Sequence, residues 1–235
     1  MRFQTELVPA RLIRRYKRFL ADCVLEGCGT EITAHCANPG SMMGLAEPGT
    51  RVWLEPNEDP KKKLKFGWRL VDHENGHFTG VDTSLPNRAL KSALMAREIA
   101  PFADYTLVCP EVKYGKNSRI DFLLSADGLP DAYVEVKSVT LSRTEGLAEF
   151  PDSVTARGAK HLEELSAMAA LGHRAVMLYL VQRTDCKSFT LAGDIDANYA
   201  VSYRESRTAG VETFCFGTNI SIQGIEVAGP IKLCI

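Results

Sequence analysis

Apolar and polar positions alternate in short runs over the first 85 residues, a period of two that predicts half-buried strands. Candidate strands cover 10–15, 17–26, 30–36, 50–55, 63–72 and 77–81. Turn chemistry separates them at Glu26-Gly27-Cys28-Gly29, Asn38-Pro39-Gly40-Ser41, Glu47-Pro48-Gly49 and Asn75-Gly76. In the second strand Phe19, Ala21, Cys23 and Leu25 share one face. Five or six strands in about 80 residues suit a small barrel, an OB-like one first and an SH3-like one second.

The period changes at 84–87. Asn87 is placed as an N-cap, and 88–99 has helix-forming composition with Leu90 and Leu94 on one stripe, stopped by Pro101. Strands follow at 105–112, 119–125 and 132–139, linked through 114–117 and 127–130. A long helix is predicted over 154–171, with Leu162, Leu165 and Ala169 at helical spacing and Gly172 as its stop. The unbroken apolar run 175–181 suits a strand buried on both faces. A weaker helix at 197–209, a strand at 211–216 and a last strand within 224–235 complete the pattern. The chain divides into a β-barrel, 1–85, suited to nucleic acid, and an α/β domain, 86–235, with an αβββαβ core. The two parts are expected to separate near 83–87, where hairpins give way to a helix.

Composition narrows the function classes. The chain has 235 residues and a formal net charge of −1. Its apolar runs fall well short of the ~18 residues of a membrane span, and the polar first residues do not make a signal peptide, so a cytoplasmic protein with no membrane partner is expected. The seven cysteines form no CxxC pair and are read as reduced thiols, mostly in apolar stretches. A zinc site from Cys23, Cys28, His35 and Cys36 is the weaker alternative, because alternation turns His35 and Cys36 to opposite faces. Charge is nearly balanced in both halves but is patched, with Arg11-Leu12-Ile13-Arg14-Arg15-Tyr16-Lys17-Arg18 and Lys61-Lys62-Lys63-Leu64-Lys65. Such runs are either solvated faces or surfaces that track phosphates.

The chemistry concentrates in Arg119-Ile120-Asp121-Phe122 and Glu135-Val136-Lys137. Alternation places Ile120, Phe122 and Leu124 on one face and Asp121 on the other, while Glu135 and Lys137 share a face of the next strand. Paired as a hairpin, the two strands bring Asp121, Glu135 and Lys137 together. Two close carboxylates repel and call for a hard cation such as Mg²⁺ or Mn²⁺, and a neighbouring lysine can orient water or stabilise phosphoryl charge. Glu98 borders the buried stripe of the preceding helix and is a further candidate ligand. The alternative is a solvated Glu-x-Lys pair.

These segments, with Phe150-Pro151-Asp152-Ser153 and its continuation to Leu162, Leu12 to Leu20, and His35 to Met42, resemble the sugar fermentation stimulation protein A (SfsA) family over nearly the whole chain. The resemblance implies an OB-like barrel joined to a PD-(D/E)xK restriction-endonuclease-like domain. It also implies DNA binding of low sequence preference and a role in regulating sugar, particularly maltose, utilisation. Asp121, Glu135 and Lys137 match the nuclease motif and are the expected catalytic residues; Ile120 stands where that motif has proline. Asp121, Glu135, the Val136 carbonyl and Glu98 are the expected metal ligands. Arg14, Arg15, Lys17, Arg18, Asn38, Ser41, Lys113, Arg119, Arg157, Lys160 and His161 are the expected DNA contacts. Three functions compete: a metal-dependent phosphodiesterase, a DNA-binding regulator without turnover, and an RNA-acting OB protein. The sequence carries no helix-turn-helix signal for a major-groove reader. It leaves a homo-oligomer open.

Overall fold

The computed structural model describes residues 1–115 and 118–235; Lys116 and Asn117, in the link read at 114–117, lie outside the described residues. Six strands build the N-terminal part: β1 (Val8–Tyr16), β2 (Leu20–Leu25), β3 (Glu31–His35), β4 (Arg51–Pro56), β5 (Phe66–Asp72) and β6 (Phe78–Gly80). Antiparallel pairing runs β3-β2-β1-β4-β5, and His35 opposite Gly67 closes β3 on β5 in parallel. The result is a closed five-stranded barrel of OB type, with β6 laid on β5. Ala10, Leu12, Ala21, Cys23, Val52, Leu54 and Trp68 fill it. The Trp68 indole would leave a buried donor stranded, but it donates to the Leu70 carbonyl at 2.9 Å. Phe19 departs from the alternation read in the sequence. It precedes β2, in the turn, and its ring stands 42% exposed, while Ala21 and Cys23 point inward.

The second part begins with α1 (Leu85–Met95), which starts and stops earlier than its composition suggests. Arg97 takes a left-handed φ of 58°, and the amides of Arg97 and Glu98 reach back to the Leu94 and Ala93 carbonyls, closing the helix. There follow β7 (Leu107–Tyr114), β8 (Ser118–Ser125), β9 (Ala132–Val139), β10 (Leu141–Thr144), β11 (Leu147–Phe150), α2 (Ala156–Ala170), β12 (Arg174–Val181), β13 (Ser188–Leu191), α3 (Ala197–Thr208), β14 (Glu212–Ser221), β15 (Gly224–Pro230) and β16 (Lys232–Leu233). The main sheet has the order β15-β14-β12-β9-β8-β7, and β12 lies parallel to both β9 and β14. The apolar run of β12 serves two cores. Met177, Tyr179 and Val181 pack under α2 and α3, and Val176, Leu178 and Leu180 under α1.

A small second sheet, β10-β11-β13-β16, lies outside the αβββαβ core expected from the sequence. Its strands are two to four residues long, and β11 pairs with β13 across the intervening helix and central strand. Such non-local pairing has no local sequence signal.

The two parts share apolar surface. Leu7 and Leu70 of the barrel pack with Leu85 and Ala89 of α1 and with Ile220 and Ile225 of β14 and β15. The Gly80 amide donates to the Gln182 carbonyl at 2.8 Å across the same joint. The described cysteines are all unpaired; Cys23, Cys36, Cys186 and Cys215 are buried, whereas Cys28, Cys109 and Cys234 are exposed, Cys109 on the edge strand β7. Among the described residues no helix is long and apolar enough to cross a membrane.

Candidate active site

The site forms where a regular hairpin stops. Strands β8 and β9 pair from Leu124–Ala132 to Phe122–Val134, and there the described ladder ends. Asp121 takes over the hydrogen bonding: its Oδ2 accepts the Val136 amide at 2.8 Å and its Oδ1 the Asn87 side-chain amide at 2.7 Å. On the other side of β8, Val112–Ile120 and Pro110–Phe122 pair, but Glu111 between them has a left-handed φ of 57°. The strand turns about Asp121 as a result. Phe122 and Leu124 enter the core under α1, while Ile120 enters the core under α2. The single face expected for these three residues is therefore divided at Asp121.

Glu135 and Lys137 face α2, as alternation along β9 requires. Glu135 is buried, and its Oε1 accepts from Lys137 Nζ at 2.9 Å and contacts His161 Nδ1. Arg157, one turn earlier on α2, donates to His161 Nε2 at 3.2 Å, and Lys137 Nζ lies 3.1 Å from His161 Nδ1. His161, expected as a DNA contact, is thus a buried partner of Glu135. Thr155 sets this helix in place: its hydroxyl caps the Gly158 amide at 3.0 Å, and its own amide donates to Asp196, the N-cap of α3, at 2.7 Å.

The environments push the two carboxylates apart. Burial, then the charge of Glu135, raises the Asp121 carboxyl to about 6 despite its two hydrogen bonds. Burial also works to raise Glu135, but the His161 hydrogen bond and the Lys137 charge outweigh it and hold Glu135 below the usual carboxylate range. Glu135 Oε2 is buried with no hydrogen-bond partner among the described residues. An orphaned anionic oxygen beside a second carboxylate is chemically suited to a hard divalent ion. Among the described residues no cluster of three or more His, Cys, Asp or Glu side chains is arranged to hold a metal. Two carboxylates and a backbone carbonyl would leave most positions of such an ion to water and substrate, as Mg²⁺ prefers. Glu98 cannot complete the set. It lies exposed beyond the C-terminal end of α1, and Asn87, which does reach Asp121, sits on the first turn about 12 Å of helix rise away. Sequence reasoning read Asn87 only as a cap; the cap position belongs to Ser84.

Two concavities flank this centre. One, of about 700 Å³, lies between the parts and is lined by Arg18, Asn38, Lys137, Asp152 and Arg157 among others. The other, of about 460 Å³, is lined by Glu111, Arg119, Arg157, Lys160 and His161. Arg18, Arg119, Arg157 and Lys160 therefore line the two concavities that flank the carboxylates. Lys113 is exposed on β7 opposite Arg119. Arg14 pairs with Asp22 at 2.9 Å and remains largely exposed, and Lys17 is exposed in the β1–β2 turn.

Three of the residues expected to contact DNA are engaged within the protein. The Arg15 guanidinium donates to the carbonyls of Asn38, Gly40 and Ser41 at 2.8, 3.0 and 3.3 Å, so it is committed to the turn. Asn38 is buried, donates to the Val81 carbonyl at 3.0 Å and accepts the Gly40 amide at 2.8 Å. Ser41 donates to the Asp152 carbonyl at 2.7 Å, and the Met42 amide to the Asp152 carboxylate at 3.2 Å. A Cβ at Gly40 would meet that carboxylate, so a larger residue there would have to displace Asp152.

Residues 13–81 match the family model described as the SfsA N-terminal OB domain, and residues 84–224 match that of the sugar fermentation stimulation protein RE domain. The chain belongs to the SfsA family. It is 79% identical to the sugar fermentation stimulation protein homolog of Roseobacter denitrificans over 99% of both chains. It is 76% identical to that of Ruegeria pomeroyi, over 97% of this chain and 99% of the other. The structure of Pyrococcus furiosus SfsA in complex with Ca²⁺ is similar at 24% identity with a TM-score of 0.89, covering 100% of this chain and 98% of that one, which supports the SfsA fold over its full length.

Proposed function

We propose that this SfsA-family chain binds DNA with little sequence preference and hydrolyses its phosphodiester bonds with Mg²⁺ or Mn²⁺ held by Asp121, Glu135 and the Val136 carbonyl. The observation that carries this reading is the unpartnered, buried Glu135 Oε2 next to a second carboxylate. The relative from Pyrococcus furiosus, described in complex with Ca²⁺, supports a hard divalent cation in this fold. When bound, such an ion lowers the pKa of water and neutralises charge on the phosphoryl oxygens. The chain's own residues do the rest. Lys137 places a fixed positive charge at the wall of the larger cleft, where phosphoryl charge grows. His161 and Arg157 hold Glu135 ionised and oriented. Arg18, Arg119 and Lys160 attract the polyanion. The unpaired cysteines suit a cytoplasmic setting, and the family's name suits a role in sugar utilisation.

A second reading, DNA binding without turnover, is favoured by one feature: Lys137 and His161 both engage Glu135 Oε1, so part of the carboxylate's charge is met by the chain's own side chains. Labelled duplex and single-stranded DNA incubated with Mg²⁺, Mn²⁺ or EDTA separates the two. Cleavage that needs the ion and falls ~10²–10³-fold in Asp121→Ala and Lys137→Ala supports the nuclease. Uncut DNA, with no ion detected by calorimetry, leaves the binding-only function.

A further inference from the structure

The barrel presents an aromatic pair that the site chemistry does not use. Phe19 and His35 are both exposed, and their rings stack at 6.4 Å between centroids with 29° between planes. This pair is not core: the barrel interior is filled by other residues, and burial would reward Phe19 for turning inward. The backbone holds the ring out. Lys17 and Arg18 adopt left-handed φ values of 45° and 66°, uncommon for side-chain-bearing residues, and the Phe19 carbonyl is fixed by the Cys36 amide at 2.9 Å.

The position of the pair is informative. Arg18, its neighbour in the chain, lines the cleft that contains Lys137. His35 lines a separate concavity of about 650 Å³ under the β4–β5 loop, with Asn57, Lys62, Lys63 and Phe66. Of the acids there, Glu55 is bound by Arg69 and Asp59 accepts the Lys61 amide, while Glu58 tempers the positive charge. A stacking platform with cations on both sides thus connects the candidate catalytic cleft to a second groove on the barrel. Duplex DNA keeps its base faces stacked on one another, and a side-chain ring reaches one only at the cost of unstacking a step; an unpaired strand offers its base faces at no such cost.

We propose that the Phe19–His35 pair is a base-stacking site that leads a single strand of nucleic acid from the Lys62–Lys63 groove past Arg18 to Lys137, so that the chain acts on single-stranded ends or loops. The proposal names a substrate class for the nuclease reading above, but the binding site stands whether or not the strand is cut.

The test is binding in EDTA, which removes catalysis from the readout. Fluorescence anisotropy would follow full-length protein with labelled oligodeoxythymidylate of about 20 nucleotides, longer than the roughly 4–16 that one OB barrel covers, and with a duplex of equal length. Phe19→Ala should weaken single-strand binding roughly 5- to 150-fold, the range for losing one stacked base, and leave duplex binding within about twofold. Phe19→Trp should restore single-strand affinity, which shows that the ring and not the fold is responsible. Lys62→Gln with Lys63→Gln should lower the salt slope for the single strand. Equal losses for both DNAs, or wild-type single-strand affinity in Phe19→Ala, would overturn the proposal. Asp121→Ala should bind the oligonucleotide at least as well as wild type, so a failed nuclease assay and a failed stacking site give different patterns.

Discussion

Asn87, on the first turn of α1, donates its side-chain amide to Asp121 Oδ1 at 2.7 Å, so a helix start and an interrupted strand meet at one carboxylate. The bond helps keep a buried acid ionisable. Asn87→Ala removes a hydrogen bond to a charged group, worth about 1.5–3 kcal/mol, and should push the Asp121 carboxyl further up. The expected outcome is a lower melting temperature at neutral pH and a weaker divalent-ion affinity, read by thermal unfolding and calorimetry. Unchanged ion binding would show that Asp121 does not depend on α1.

Without a divalent ion, Asp121 should make the protein less stable as pH rises. Its carboxyl is raised from an ordinary 3.8 to about 6, so between those values the folded state holds a proton that the unfolded state has released. Stability from this group is complete below about 4 and is lost through 6, a difference of roughly 3 kcal/mol. Asp121→Asn mimics the protonated form. In EDTA it should be more stable than wild type by roughly 3 kcal/mol at pH 8 and by only about 1 kcal/mol at pH 4.5, by urea unfolding. A constant difference at both pH values would refute the assignment.

The cations of the β1–β2 turn should behave differently from one another. Lys17 and Arg18 are exposed, so replacing both with glutamine should lower the salt slope of binding by up to ~0.7 per lost phosphate contact on single strands and ~0.9 on duplex, with the melting temperature unchanged. Arg15 is spent on three carbonyls of the 38–41 turn. Arg15→Gln should therefore lower the melting temperature before it alters the slope.

The fragment 84–235 should not fold as an independent unit. Removing the barrel exposes Leu85, Ala89, Ile220 and Ile225, which pack against Leu7 and Leu70 in the full chain. Burial of such side chains is worth about 1.5–3 kcal/mol each, a large share of a domain's stability. Dye binding and poor amide dispersion are expected of the fragment, and one cooperative transition of the full chain. A well-dispersed, monomeric fragment would show that the joint is dispensable.

The residues that could be read in advance are those whose signal is local. Alternation gave the barrel strands, and the apolar run 175–181 gave the central strand β12, because each needs only its own neighbours in sequence. Asp121, Glu135 and Lys137 were legible as a hairpin constellation, and the structure brings Asp121 to the Val136 amide between the other two. What escaped were relationships across distance. Glu98 looked close to a buried stripe, but a left-handed Arg97 ends the helix and leaves the acid outside. His161 looked like one more cation on a rim, but the packing of α2 on β9 buries it against Glu135. Asn38 and Ser41 offered turn chemistry in sequence; that the turn grips Asp152 depends on a segment more than a hundred residues later.

That grip constrains how the molecule could be recombined. The segment 152–155 is held at one end by Ser41 and Met42 of the barrel and at the other by Asp196 of α3, and it leads directly into the helix that carries Arg157 and His161. A chimaera that grafts another relative's barrel onto this α/β domain must keep residues 38–42 matched to 150–155, or the incoming barrel will dock without aligning α2. The barrel and the α/β domain can thus be exchanged only with both halves of this clasp matched, not by a cut at the linker alone.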